Sequence, residues 1–200
     1  MKKTLSRRVA IGAGLCAVLA VYVILARRTM PPAIQQPEAR HASELVQKDG
    51  RWYRLGETNT FTGWMEDYYP GGALWSRCQI SNGLLNGLSE TWYTNGQMHV
   101  REQFKDGIAS GQRQKWHENG KMLSQATIVD GQVMGTFLSW HDNGQLSEQI
   151  EMKNGKADGI AWAYYPSGFL KAETKVRDGQ ILNRSSWSDG QRRGSADQPD

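Results

Sequence analysis

A 24-residue period runs through most of this chain and limits what it can fold into. The segment Trp92-Tyr93-Thr94-Asn95-Gly96 returns as Trp116-His117-Glu118-Asn119-Gly120 and again as Trp140-His141-Asp142-Asn143-Gly144. Tyr68-Tyr69-Pro70-Gly71-Gly72 precedes the series and Tyr164-Tyr165-Pro166-Ser167-Gly168 continues it. A degenerate copy, Trp187-Ser188-Asp189-Gly190, arrives one residue early. A period of this length belongs to a repeat array, where each unit is one supersecondary element that buries its apolar face only against its neighbours. Such arrays offer surfaces more readily than catalytic pockets.

Each unit reads as two short strands and two turns. Leu88 to Tyr93 forms one strand, Thr94-Asn95-Gly96 turns, Gln97 to Phe104 returns, and Asp106-Gly107 turns again. Asn-Gly and Asp-Gly suit type I′ hairpins, whose two central positions both need φ > 0. The second turn recurs as Asn82-Gly83, Asp130-Gly131, Asn154-Gly155 and Asp178-Gly179. Another glycine repeats at Gly63, Gly87, Gly111, Gly135 and Gly159, which predicts a positive φ or a close backbone approach there. The return strands alternate. One apolar column is Leu74, Met98, Met122, Leu146 and Leu170; six residues on lies Ile80, Phe104, Ile128, Met152 and Val176. An even separation puts both on one face. With the aromatic column Tyr68, Trp92, Trp116, Trp140 and Tyr164, they are expected to stack into a continuous core. The expected fold is all-β: an elongated antiparallel sheet of stacked 24-residue β-hairpin repeats. Asp49-Gly50-Arg51-Trp52-Tyr53 predicts an extra hairpin over the first repeat, and the copy at Trp187 a cover for the far end.

Charge is unevenly placed. Residues 1–30 hold six Lys or Arg and no acid, whereas the remaining 170 hold 18 basic and 20 acidic side chains, a balance of two negative charges. The repeat body therefore has no basic excess for a nucleic-acid backbone. Residues 9–26 are uncharged, and as a helix would span about 27 Å, near the ~30 Å hydrocarbon core. Lys2, Lys3, Arg7 and Arg8 precede this stretch, and Arg27 and Arg28 follow it. The positive-inside bias points to a cytoplasmic N-terminus with the body outside, as a single-pass inner-membrane protein with a periplasmic or extracellular repeat domain. The segment also resembles a secretory signal, but Ala26-Arg27-Arg28-Thr29-Met30 lacks a small-x-small cleavage site. The expected organisation is a transmembrane helix or signal at 1–26, a Pro-containing linker at 27–43, the repeat domain at 44–190 and a disordered tail at 191–200. Cys16 in the apolar segment and Cys78 in the body do not read as a bridge; Cys78 reads as buried.

The chain holds no P-loop, no Gly-x-Ser-x-Gly elbow and no HExxH, so the expectation is no enzyme, no cofactor and no metal. His117 and His141 could approach each other across repeats, but their column also contains Tyr69, Tyr93 and Tyr165. A site that suits a flat, semi-polar ring explains all five, and no Cys or carboxylate set completes a ligand shell. Asp142 sits on the strand face opposite His141. The Trp-containing column is expected in the core rather than as an exposed ladder for glycan. The adjacent column, Tyr69, Tyr93, His117, His141 and Tyr165, is then the opposite face and the candidate partner-binding surface. Glu118, Lys121 and Asp142 read as solvated.

The unit Gly-x-x-x-x-Trp-Tyr-x-Asn-Gly-x-Leu/Met, closing on Asp/Asn-Gly-x-x-x-Gly, resembles the bacterial MORN-variant repeat, and specifically the YwqK-type antitoxin family. Phe61-Thr62-Gly63 and the lead-in Leu45-Val46-x-x-Asp49-Gly50-x-x-Tyr53 belong to the same resemblance, which covers about residues 45–190. It implies a protein that binds and neutralises a cognate toxin. The N-terminal membrane segment departs from the cytoplasmic type, and implies a toxin acting on the envelope, such as a phospholipase or wall hydrolase. The alternative is an envelope structural or glycan-binding protein.

Overall fold

The computed structural model describes residues 38–191. The expected membrane segment, the linker up to residue 37 and the tail from residue 192 lie outside these residues. Among the described residues no helix is long and apolar enough to cross a membrane.

The described residues alternate strand and turn. The strands are β1 (Ala39–His41), β2 (Leu45–Lys48), β3 (Arg51–Arg54), β4 (Gly63–Tyr68), β5 (Leu74–Ser81), β6 (Leu84–Trp92), β7 (Met98–Lys105), β8 (Ile108–Ala109), β9 (Gly111–Trp116), β10 (Met122–Val129), β11 (Gln132–Trp140), β12 (Leu146–Lys153), β13 (Lys156–Tyr164), β14 (Leu170–Arg177) and β15 (Gln180–Ser186). A single 3-10 turn, Ala42–Glu44, follows β1. From β4 onward the sheet follows chain order, each strand antiparallel to the next, with β8 and β9 sharing β7 as partner. The short β1 joins β4 in parallel and closes that edge; β2 and β3 form a separate hairpin. A meander of consecutive hairpins needs no crossover connections, which is why a tandem sequence of one unit suffices to write it.

The two turns of each repeat are not alike. In the second turn both residues are left-handed: Asn82 and Gly83 have φ of 50° and 78°, and Asp106 and Gly107 50° and 84°. This matches the expected two-residue type I′ hairpin. In the first turn only the glycine has positive φ: Gly96 has φ 82°, with Asn95 outside the left-handed region. The Gly96 amide donates to the Tyr93 carbonyl at 2.9 Å, and the Tyr93 amide to Gln97 at 2.8 Å. The expectation of type I′ at Asn95-Gly96 is thus corrected. The loop is longer, the Asn95 carboxamide oxygen accepts from the Gln97 amide at 2.9 Å, and only the closing residue must turn left-handed.

The third glycine column marks a bulge. The β5–β6 register shifts between Cys78 and Ile80, and equivalent shifts recur in the β10–β11 and β12–β13 pairs. Gly87 at this place has φ 110°, and a Cβ there would lie 1.9 Å from the Gln79 Oε1. That oxygen folds over the glycine to accept from the Leu88 amide at 2.8 Å. Glu151 covers Gly159 in the same way and accepts from the Ile160 amide at 3.2 Å. At Gly87 and Gly159 glycine is therefore required twice over, by backbone conformation and by the side chain seated on it, and at Gly135 by backbone conformation alone.

The core is thinner than three stacked columns would make it. Ile80, Ile128 and Val176 are buried, whereas Phe104 and Met152 of the same column are half-buried. Leu74 and its equivalents are half-buried, and Tyr68 of the aromatic column is exposed. A second register shift, between Thr91 and Trp92, interrupts strict alternation before the aromatic residue. Trp92 lies against Arg77, on the face opposite Cys78 and Ile80, and pairs directly with Met98, as Tyr68 does with Leu74. The aromatic column thus joins the Leu74 column as expected, but the bulge sets both on the face opposite the Ile80 column, against the expectation that the two aliphatic columns share one face. The best-formed core lies at the N-terminal end. There Leu45, Phe61, Cys78 and Ile80 pack together with Trp52, Met65 and Leu85 against them. The β2–β3 hairpin thus covers the first repeat as its sequence predicts. The far end differs: Trp187 docks by its amide on the Lys171 carbonyl, and every residue of β15 is exposed.

Candidate interaction surface

Adjacent repeats are fastened by the Tyr/His column. The Tyr69 hydroxyl donates to the Trp92 carbonyl at 2.8 Å, and Tyr93 to the Trp116 carbonyl at 2.8 Å. His117 Nε2 donates to the Trp140 carbonyl at 2.9 Å, His141 Nε2 to Tyr164 at 3.0 Å, and the Tyr165 hydroxyl to Trp187 at 3.1 Å. A carbonyl only accepts, so Nε2 carries the proton in both histidines. Tyr and His interchange here because each places a donor at the far end of a flat ring. Burial first, then the Glu118 carboxylate and Tyr69, push the Tyr93 hydroxyl above its ordinary range and keep it a donor.

The turn asparagines make a parallel ladder. The Asn95 carboxamide donates to the Glu118 carbonyl at 2.9 Å, Asn119 to Asp142 at 2.9 Å, and Asn143 to Pro166 at 2.7 Å. Each asparagine thus shapes its own turn with its oxygen and grips the next turn with its nitrogen. These two ladders make the turn-bearing margin of the sheet regular. The column Tyr69, Tyr93, His117, His141 and Tyr165 stands on this margin, its polar tips engaged and its rings half-buried. Residues six further on pack against those rings: Trp75 beside Tyr69 at 6.4 Å, His99 beside Tyr93 at 4.4 Å, and Lys171 over Tyr165 at 5.4 Å. Trp75, 45 % exposed, carries an aromatic surface outward at the N-terminal end of this margin.

Sequence reasoning missed a second cluster, on strands β5 to β7 of the same sheet. Register places Arg77 of β5 opposite Glu90 of β6, and Glu90 opposite Arg101 of β7. Glu90, only 2 % exposed, is the one buried charged residue among those described. It accepts from Arg77 at 2.7 Å and from Arg101 at 2.8 and 3.0 Å. Burial acts to raise the Glu90 pKa, but the hydrogen bonds and charges of the two arginines outweigh it, so the carboxyl titrates below its usual range. The Arg77 guanidinium also lies 4.7 Å from the Trp64 ring centre and 5.6 Å from that of Trp92. The signal for this cluster was a break in the repeat. The Arg77 and Arg101 column continues as Gln125, Gln149 and Glu173, and Glu90 becomes Gln114, Leu138 and Trp162.

Beside it runs an open groove of about 650 Å³, bounded by Trp64, Leu88 and Phe104 and by the carboxamides of Gln79, Asn86 and Gln103. Among the described residues no group of three or more His, Cys, Asp and Glu could hold a metal. Cys78 is buried, and burial pushes its thiol up to about 11.

Three repeats match the MORN repeat variant. The matches fall on residues 85–106, 110–130 and 135–154, all within the sheet. The flanking units keep the same geometry: Asn82-Gly83 and Asp178-Gly179 have the same left-handed pairs as the matched copies. MORN repeats are generally non-catalytic repeat modules. No curated protein matches the chain.

Proposed function

We propose that this chain is a non-catalytic binding protein that neutralises a cognate toxin at the cell envelope, with residues 1–26 anchoring it in the inner membrane and the repeat domain outside. The resemblance to YwqK-type antitoxins and the charge pattern around residues 9–26 support the location and the role. The observation that carries the binding reading is the sheet surface. Arg77 is held between Trp64 and Trp92 with Arg101 beside it across Glu90, and a strip of half-buried Tyr and His rings borders the sheet. Trp, Tyr and Arg dominate the energetics of protein interfaces. Neutralisation is by occlusion: the surface covers the toxin's active site or its membrane-docking face, and no bond is made or broken. The Tyr69, Tyr93, His117, His141 and Tyr165 rings supply the margin of that contact.

The test is rescue. The product of the adjacent gene is directed to the periplasm with and without the full-length protein, and with a version lacking residues 1–30. Survival with the full-length protein alone is expected. Toxicity that the full-length protein leaves unchanged would remove the reading. The carboxamide-walled groove beside Trp64 favours a second one, a glycan-binding envelope protein, which retention on purified sacculi would support.

A further inference from the structure

We infer that the guanidinium pair of Arg77 and Arg101, framed by Trp64 and Trp92, is the docking hot spot of this protein and receives an exposed carboxylate of a protein partner. The inference rests on the binding-protein reading above and names the place and the chemistry of the contact.

Four observations lead to it. The repeat does not require the cluster, since the same sheet positions carry Gln114, Gln125, Leu138 and Gln149 further along, and the strands pair there without an ion pair. A fold-neutral departure from a repeated pattern points to a role beyond folding. Next, the charges are sorted by depth. The Glu90 carboxylate is sealed, while the Arg77 and Arg101 side chains are 37 % and 45 % exposed, so an incoming surface meets cations first. Glu66, which pairs across from Arg77 and accepts from the Tyr68 hydroxyl at 2.6 Å, and Glu90 together balance the two guanidiniums, and Lys105, four residues beyond Arg101 on the same face of β7, leaves the spot with one net positive charge. This positive spot lies in a repeat body whose balance is negative.

Third, the cluster is pre-organised. Glu90 holds both guanidiniums, and Trp64 and Trp92 flank that of Arg77, so little side-chain freedom is lost when a ligand arrives. Fourth, Arg77 reaches Glu90 through Nη2 and Arg101 through Nε and Nη2, which leaves the Nη1 group of each as a charged donor, and a carboxylate is the acceptor that such donors bind most strongly. A phosphate could use the same donors, but a phospholipid surface is held by a field of cations. A single net charge set among tryptophan rings fits a lone acidic side chain surrounded by apolar contact, the arrangement of a protein interface core.

The experiment is calorimetric titration of the full-length protein, in detergent micelles, with the purified product of the adjacent gene. Vesicles of phosphatidylglycerol form a separate arm. Arg101→Gln keeps a polar, unbranched stem and removes the charge and the guanidinium fork, and is expected to weaken binding about 30-fold or more, the range of a hot-spot residue. Arg101→Glu should abolish binding, and Gln149→Ala, far along the same face, should leave it unchanged. Trp64→Ala is the independent variant should the arginine variants unfold, with thermal melting recorded for each. Tight binding that folded Arg101→Gln and Trp64→Ala proteins both retain would overturn the inference while leaving the binding-protein reading intact. Absence of binding by the unmodified protein would overturn that reading and the inference with it. Binding to the vesicles that depends on Arg101, without binding to the protein, would reassign the site to a membrane surface.

Discussion

Removing one hydroxyl at Tyr93 should loosen the joint between two repeats. Tyr93→Phe keeps the ring, its packing on His99 and the backbone hydrogen bonds of the turn, and deletes only the 2.8 Å bond to the Trp116 carbonyl. A neutral hydrogen bond contributes about 1 kcal/mol net, and the carbonyl it leaves behind is half-buried, which adds part of a desolvation cost. The expected loss is about 1–2 kcal/mol. Repeat arrays gain stability from interfaces between neighbours, so this loss falls on a joint and not on a local strand. Tyr69→Phe, which breaks an equivalent bond to Trp92, should cost a similar amount, and the two should add, because they touch different carbonyls. Tyr165→Phe should cost less, since it frees only the degenerate copy at Trp187. Equilibrium urea unfolding followed by tryptophan fluorescence measures all three, and the slope of the transition should stay constant. A Tyr93→Phe protein within about 0.3 kcal/mol of the unmodified one would show that these bonds only exchange for water, and the column would lose its role as a fastener.

Three further outcomes follow from particular sites. Gly87→Ala must place a Cβ 1.9 Å from Gln79 Oε1 at φ 110°, whereas Gly135→Ala meets nothing within 4 Å at φ 72°. Both should destabilise, Gly135→Ala by about 1 kcal/mol and Gly87→Ala by about 2 kcal/mol or more, and equal melting temperatures would be the wrong outcome. The lowered pKa of Glu90 means that its stabilising effect is complete above the unfolded-state value of about 4.3 and is lost as pH falls through the lower folded value. Glu90→Gln should therefore cost roughly 1–3 kcal/mol at pH 7, less than a fully enclosed pair because both arginines are partly solvated, and the gap should narrow in acid. A thiol probe at pH 8 should leave Cys78 unmodified in the folded protein and react within minutes in urea, since burial and a pKa of about 11 leave little thiolate.

The turns were the most legible part of the fold. Asp106-Gly107 and its copies carry a two-residue solution that few other dipeptides support, and the structure has it. Asn95-Gly96 reads identically as letters, yet its conformation depends on loop length and on the asparagine's reach to its own strand and to the next repeat. Strand periodicity located the columns but put Leu74, Met98 and their equivalents on the same face as Ile80 and Phe104, because a bulge beside Trp92 breaks the period of two that such reasoning assumes. His117 and His141 were read as flat semi-polar rings equivalent to tyrosine, and the hydrogen bonds across the repeat supply the physical reason. Arg77, Glu90 and Arg101 were passed over because consensus reasoning attends to positions that recur, and their meaning lies in the positions that do not. Comparing each repeat against the average, residue by residue, would have exposed them.

Occlusion and catalysis differ most plainly in stoichiometry. The activity of the purified adjacent gene product on its envelope substrate should be titrated with increasing full-length protein. A binding protein removes activity in proportion to its own concentration, reaches an end point near one protein per toxin, and returns active toxin when the complex is dissociated. Loss of activity at far lower ratios, or toxin that stays inactive and covalently altered after separation, would mean that this sheet performs chemistry and that its aromatic and arginine surface is not its means of action.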